Sequence, residues 1–115
     1  MPTTVFVLPV LEGQVGRLRA FAATLQGERR GEFEASQRRL GVTREAWYVR
    51  ETPEAATAAV YVEAEDVAQA LQRLVMSQDP ADLWMKSEVA AVTGIDFNRP
   101  PAGAPFETIL SYGYG

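Results

Sequence analysis

Residues 12–40 read EGQVGRLRAFAATLQGERRGEFEASQRRL, and how this stretch folds decides the rest of the chain. At 100° per residue, Val15, Leu18, Ala22, Leu25, Phe33, Ser36 and Leu40 fall on one side of a helix, with Phe21 at the margin. The spacing predicts one long amphipathic helix. Gly27 and Gly31 oppose it, by about 2 kcal/mol together relative to alanine. The stretch is therefore one helix kinked near Gly27, or two helices in succession. In the unbroken form the apolar stripe contains a cation, Arg29. Glu34 and Arg38, four apart, support the other side weakly. Gly41 stands where a left-handed residue closes a helix.

The flanks are strands. Residues 3–11, TTVFVLPVL, are apolar at alternate and intervening positions alike, which predicts a strand buried on both faces. Pro9 cannot donate to a ladder, so it belongs near the strand end. Residues 43–52 form the second strand, with Glu45 and Trp47 on one face and Tyr48 and Arg50 on the other. After a Pro53-Glu54 turn, residues 56–63 form the third, an antiparallel hairpin partner.

Glu65 or Asp66 caps a second helix with apolar residues at Val67, Leu71, Leu74 and Val75. Asp79-Pro80 opens a third, with Asp82 suited to the positive end of its dipole. Gly94 ends it, and a proline-rich loop fills residues 96–105. Residues 106–112, FETILSY, alternate as a fourth strand, and the last three residues form a loose tail.

The order is that of a split β-α-β-β-α-β unit with an extra third helix. It predicts an α+β, ferredoxin-like domain spanning residues 1–115, with a four-stranded antiparallel sheet and helices on one face. Strand one is apolar on both faces, and strands two and four place Trp47, Tyr48, Phe106 and Tyr112 on the sheet. On an uncovered sheet face that is more apolar surface than a monomer usually leaves bare. Two sheets packed face to face in a homodimer, a dimeric α/β barrel, would cover it.

Composition removes several chemistries. With 115 residues and 47% apolar content the chain can bury one core. It has no cysteine and no histidine, so thiolate and imidazole metal sites, cysteine nucleophiles and the usual haem ligand are excluded. No metal motif or cofactor is expected. A net charge of −4 without a basic stripe argues against nucleic acid. No apolar run reaches the roughly 20 residues of a membrane span, and the N-terminus has no basic leader. The expectation is a soluble cytoplasmic protein. Of eleven basic residues only Lys86 is lysine.

The segments LGVTREAWYVRETPE (40–54), VYVEAEDVAQAL (60–71) and DPADLWMKSEVAAVTGIDF (79–97) resemble an uncharacterised family of the dimeric α/β-barrel superfamily. The resemblance covers nearly the whole chain and implies the ferredoxin-like fold and the homodimer. The wider superfamily includes cofactor-free monooxygenases of quinol-like substrates, haem-degrading enzymes, chlorite dismutases, small isomerases and stress-responsive proteins. The missing histidine sets the haem-dependent members aside.

Six residues are candidates for a ligand site, each beside a plainer structural role. Arg29 can pair a substrate anion, or reach solvent from a kinked helix. Trp84 can wall an apolar pocket, or fill the core. Lys86 can bind an anion or act as a base, or sit solvated. Glu45 beside Trp47 places a carboxylate against an indole, a way to raise its pKa, or the pair is an edge glutamate and a core tryptophan. Tyr48 and Arg50 on the opposite face, with Tyr61 next door, offer a similar constellation.

Three functions fit. The first is a small-molecule binder with a pocket between sheet and helices, lined by Trp47, Tyr61, Trp84 and Arg29. The second is a cofactor-independent monooxygenase of a quinol-like substrate, its anion held by Arg29, Glu45 or a tyrosine. The third is a structural or interaction module without ligand.

Overall fold

The computed structural model describes residues 2–100 and 106–113; residues 101–105 of the expected proline-rich loop and the final two residues lie outside them. The chain runs β1 (Thr3–Val10), α1 (Val15–Gln26), α2 (Arg30–Leu40), β2 (Val42–Glu51), β3 (Ala56–Ala64), α3 (Val67–Met76) and α4 (Pro80–Thr93). The sheet is antiparallel in the order β1-β3-β2, so the architecture is α+β with three strands and four helices among the described residues.

The long helix is two helices. Gly27 ends α1, its amide donating to the Thr24 carbonyl, and the Arg29 amide reaches the same oxygen at 2.9 Å. A Cβ at position 27 would lie 3.1 Å from the Ala23 carbonyl, closer than most side chains tolerate, so glycine is what lets the chain turn here. Gly31 falls inside α2 with open space around it, and does not break the helix.

The local stop signals hold at two later ends. Gly41 and Gly94 adopt φ of 83° and 78° and cap α2 and α4 through their amides. Asp66 and Asp79 accept from Gln69 and Ala81 at the starts of α3 and α4, and Pro80 occupies the first turn. Thr52 closes the β2–β3 hairpin, exchanging hydrogen bonds with Ala55.

The pleat sorts the sheet into two unlike faces. Leu8, Val10, Ala58, Val60, Val62 and Ala64 point to the helices and are buried. Two apolar clusters fill this side, one around Leu18, Phe21 and Leu25, the other around Leu8, Val60 and Phe97. On the other face Val5, Val7 and Tyr48 are exposed. The first strand is therefore buried on one face within the chain, not both. Among the described residues no helix covers its apolar outer side chains.

Residues 106–113 carry no assigned strand, so the sheet has three strands among the described residues. Phe106, Ile109, Leu110 and Tyr112 are exposed. The segment passes beside Thr3, Val5 and Tyr61 and leaves an open groove of about 470 Å³ between itself and the sheet.

Candidate functional site

The pleat sets Glu45, Trp47 and Val49 on the helix side of β2, in register with Val62, Val60 and Ala58. Glu45 and Trp47, two residues apart, meet as the alternation requires. The indole Nε1–H donates to Glu45 Oε2 at 2.8 Å. Gln37 of α2 donates its Nε2 to Glu45 Oε1 at 3.1 Å. Each carboxylate oxygen thus has one donor and room for a second.

Glu45 also lines a small recess of about 60 Å³ between sheet and helices, walled by Phe6, Leu40, Val62, Leu71 and Leu74. The walls are apolar and Glu45 is their charged group. The recess has room for water and not for a metabolite, since small-molecule sites run to roughly 300 Å³ and above.

Trp47 turns its other side to Phe21, with ring centroids 6.0 Å apart, and Phe21 meets Trp84 at 5.6 Å. Phe21 therefore occupies the space between the two tryptophans. Arg29 lies over the Trp84 ring, its guanidinium carbon 4.0 Å from the centroid, and pairs with Glu32 at 3.3 Å. The helix break resolves the misfit of the stripe: Arg29 precedes the first residue of α2 and sits over the Trp84 indole.

The six candidates thus divide. Glu45 and Trp47 are joined by a hydrogen bond, Arg29 and Trp84 by stacking, and Phe21 links the two pairs. Tyr61 is on the opposite face of the sheet, donating its hydroxyl to Glu63 at 2.9 Å. No single pocket with Trp47, Tyr61, Trp84 and Arg29 as its lining is formed by the described residues. Lys86 belongs to a different place altogether.

Lys86 is 2% exposed. Its Nζ donates to the carbonyls of Leu74, Ser77 and Val75 at 2.8, 3.0 and 3.4 Å. One turn earlier on α4, Asp82 is fully buried and accepts from the hydroxyls of Ser36 and Ser77 and from Arg39 at 3.1 Å. Asp82 is thus a buried junction of three helices, beyond the dipole role read from sequence. Burial pushes its pKa up, but the two hydroxyls and the Arg39 guanidinium outweigh burial and hold it below the usual carboxylate range. Burial pushes the Lys86 ammonium down, against the charges of Asp82 and Asp96. Two signals pointed here: Ser36 sits on an apolar stripe, and Lys86 is the lone lysine among arginines.

Comparison with known proteins adds the fold. No family model matches the chain, and no curated protein matches it. Among solved structures it is similar to the tetracenomycin F2 cyclase of Streptomyces glaucescens, a type-II polyketide cyclase. Identity is 16%, all of both chains is covered, and the TM-score is 0.60. A likeness at that identity shows a shared α+β fold and no shared chemistry. Among the described residues no group of histidine, cysteine, aspartate or glutamate could hold a metal ion, and no helix is long and apolar enough to cross a membrane.

Proposed function

We propose that the protein binds a small molecule in the sheet–helix recess at Glu45. The observation that carries this reading is the carboxylate itself. It stands on an apolar wall, oriented by Trp47 and Gln37, with acceptor capacity left over. Apolar walls with one or two placed polar groups are the usual composition of ligand sites. The ligand is then mostly apolar and presents a hydroxyl or amine. A carboxylate or phosphate would meet an anion in a chain of net charge −4.

The likeness in fold to a polyketide cyclase supports a hydroxylated aromatic as the first probe. In a Trp84→Phe background, Trp47 is the remaining tryptophan, and its emission reports the recess. Titration with 1,8-dihydroxyanthraquinone is expected to quench it saturably. Glu45→Gln should weaken the binding by about tenfold or more, the loss of one charge-assisted hydrogen bond. Equal affinity in Glu45→Gln would sink the reading. The ligand-free structural module has one observation in its favour, the filling of the space between the tryptophans by Phe21. A broad panel of hydroxylated aromatics that leaves Trp47 emission unchanged selects it. Oxygen uptake with quinol-type substrates separates turnover from binding. Arg29, the cation such chemistry would call on, does not line the recess.

We infer further that the working form is a homodimeric α/β barrel with four-stranded sheets. The support is that two uncovered apolar surfaces lie side by side. The outer sheet face exposes Val5, Val7 and Tyr48, and the segment beside it exposes Phe106, Ile109, Leu110 and Tyr112. The edge of β1 away from β3 has no strand on it among the described residues. Residues 106–112 have the alternation to pair there, and a second copy would cover the face. Light scattering across a dilution series is expected to give a dimer at micromolar concentration. A well-behaved monomer there would remove the barrel.

A further inference from the structure

Three helices meet the Glu45 recess or its supports, and they end differently. Helices α2 and α4 close on left-handed glycines, Gly41 and Gly94, whose amides satisfy carbonyls of the last turn. Helix α3 has no such cap. Its C-cap residue, Ser77, is extended, with φ −66° and ψ 132°, and its amide reaches the Leu74 carbonyl at 3.2 Å. Lys86, a side chain of the next helix, reaches the Leu74 and Val75 carbonyls of the last turn and the Ser77 carbonyl just beyond it.

The choice of residue fits the task. An ammonium offers three donors on a compact centre, and three carbonyls surround it. A planar guanidinium would not fit that arrangement. The other ten basic residues of the chain are all arginine. A cation at this position also complements the negative end of the α3 dipole.

The same turn of α3 belongs to the recess. Leu74 gives its carbonyl to Lys86 and its side chain to the wall beside Glu45. Val67, Ala70 and Leu71 of α3 line the recess as well. The opposing wall is made by Thr4, Phe6 and Val62, on strands held in the sheet ladder. At about 60 Å³ the recess cannot take a metabolite as it stands, so one wall has to move. The sheet is the poorer candidate, because its strands are paired to each other. Helix α3 is the better one, because its end is held by a side chain that can let go.

We propose that Lys86 is a latch: by holding the carbonyls that end α3 it keeps the recess beside Glu45 closed, and ligand enters when that turn is released. This rests on the recess being the ligand site. The groups facing the ammonium are Asp82 on its own helix and Asp96 beyond it, while Arg39 of α2 and the hydroxyls of Ser36 and Ser77 hold Asp82 in turn. Release of the turn returns a buried ammonium to water, which offsets part of the cost of opening. Lys86 is a positioning residue here, acting through Leu74.

The absence of cysteine gives a direct test, because a single introduced thiol is the only one in the chain. Val62→Cys places a buried reporter on the recess wall, and Val10→Cys a buried control in the α1 cluster. Labelling of each by 5,5′-dithiobis(2-nitrobenzoate) is followed in the native protein, with Lys86 and with Lys86→Gln. Lys86→Gln should accelerate labelling at Val62→Cys by about tenfold or more and leave Val10→Cys nearly unchanged. Lys86→Met, which keeps no donor, should accelerate it further. The on-rate of 1,8-dihydroxyanthraquinone should rise in Lys86→Gln alongside the labelling, which a merely structural lysine would not produce. Equal acceleration at both cysteines in Lys86→Gln, or none at Val62→Cys, overturns the latch. Labelling needs no ligand, so the two readings fail separately. Faster labelling without binding of any hydroxylated aromatic in the panel overturns the recess as a ligand site, whereas binding with unchanged labelling overturns the latch.

Discussion

The two faces of the sheet are built from the same three strands and behave oppositely. Toward the helices, β3 presents Ala58, Val60, Val62 and Ala64, none more than 8% exposed. Away from them, the intervening residues Ala59, Tyr61 and Glu63 are only half-buried, and Val7 of β1 is 50% exposed. Both faces are apolar along β1, yet the chain's own helices cover one. Apolarity and burial are therefore separate properties here. The inner face is explained by folding, and the outer face is left open among the described residues.

Truncation on either side of β1 tests this most strongly. Leu8, 4% exposed on the inner face, sits in a cluster with Val60, Val62 and Phe97. Leu8→Ala is expected to cost about 4 kcal/mol in urea unfolding, through lost burial and the cavity left behind. Val7→Ala, one residue away, should cost less than about 0.5 kcal/mol if its face stays open to water. A large cost for Val7→Ala, growing with protein concentration, would break the contrast and show the outer face to be covered by a second copy.

The helix layer is held over the inner face by polar contacts as well as apolar ones. Asp82 joins α2 and α4 to the residue that follows α3, through Ser36, Arg39 and Ser77. Its pKa is lower in the folded chain than in the unfolded one. Its contribution is thus fully present above the unfolded carboxylate range near about pH 4 and is lost as pH falls through the folded value. Asp82→Asn should destabilise by about 2 kcal/mol at neutral pH, and less as the pH is lowered into that window. Lys86 has a slope of the same sign in a more alkaline window. Its folded pKa is depressed by burial, so stability rises as pH goes from that value toward the ordinary lysine range near about 10.4. Urea midpoints of Lys86→Met against pH should lack that alkaline rise.

Much of this layering was legible in the residues, and the reasons are local. Asp66, Asp79, Pro80, Gly41 and Gly94 act on their own turns, so their signals survive without knowledge of the fold. Gly27 announced the helix break in the same way. Glu45 and Trp47 share a face because the pleat has a period of two. The failures are long-range. Residues 106–112 have the alternation of a strand, but pairing depends on an edge that the alternation does not specify. Asp82 read as a dipole residue and Lys86 as an isolated candidate, because nothing local says that the ends of three helices converge on them. Tyr61 was grouped with Trp47 and Trp84 by chemistry, whereas the face a strand residue takes depends on its parity. The identity of a ligand was not legible, because a carboxylate on an apolar wall narrows a class and does not name a molecule.

Arg29 tests the boundary between the covered and the open, and its effect should be the smallest. Its side chain is 35% exposed and its guanidinium carbon sits 4.0 Å from the centre of the Trp84 ring, at the rim of the helix-covered layer. Were it a core cation, its removal would leave no water-filled space and would change the packing of Phe21 and both tryptophans. As a rim cation it contributes a stack on one indole and an ion pair with Glu32 that is screened by solvent. Arg29→Ala is therefore expected to cost about 0.5–1 kcal/mol in urea unfolding. Trp84 should become more solvent-accessible to iodide quenching, with Trp47 unchanged, as read in Trp47→Phe and Trp84→Phe backgrounds. Arg29→Lys should recover only part of the stability, because an ammonium cannot lie flat on the ring. A loss several times larger, or a change at Trp47, would move Arg29 from the rim into the core and return it to the ligand question.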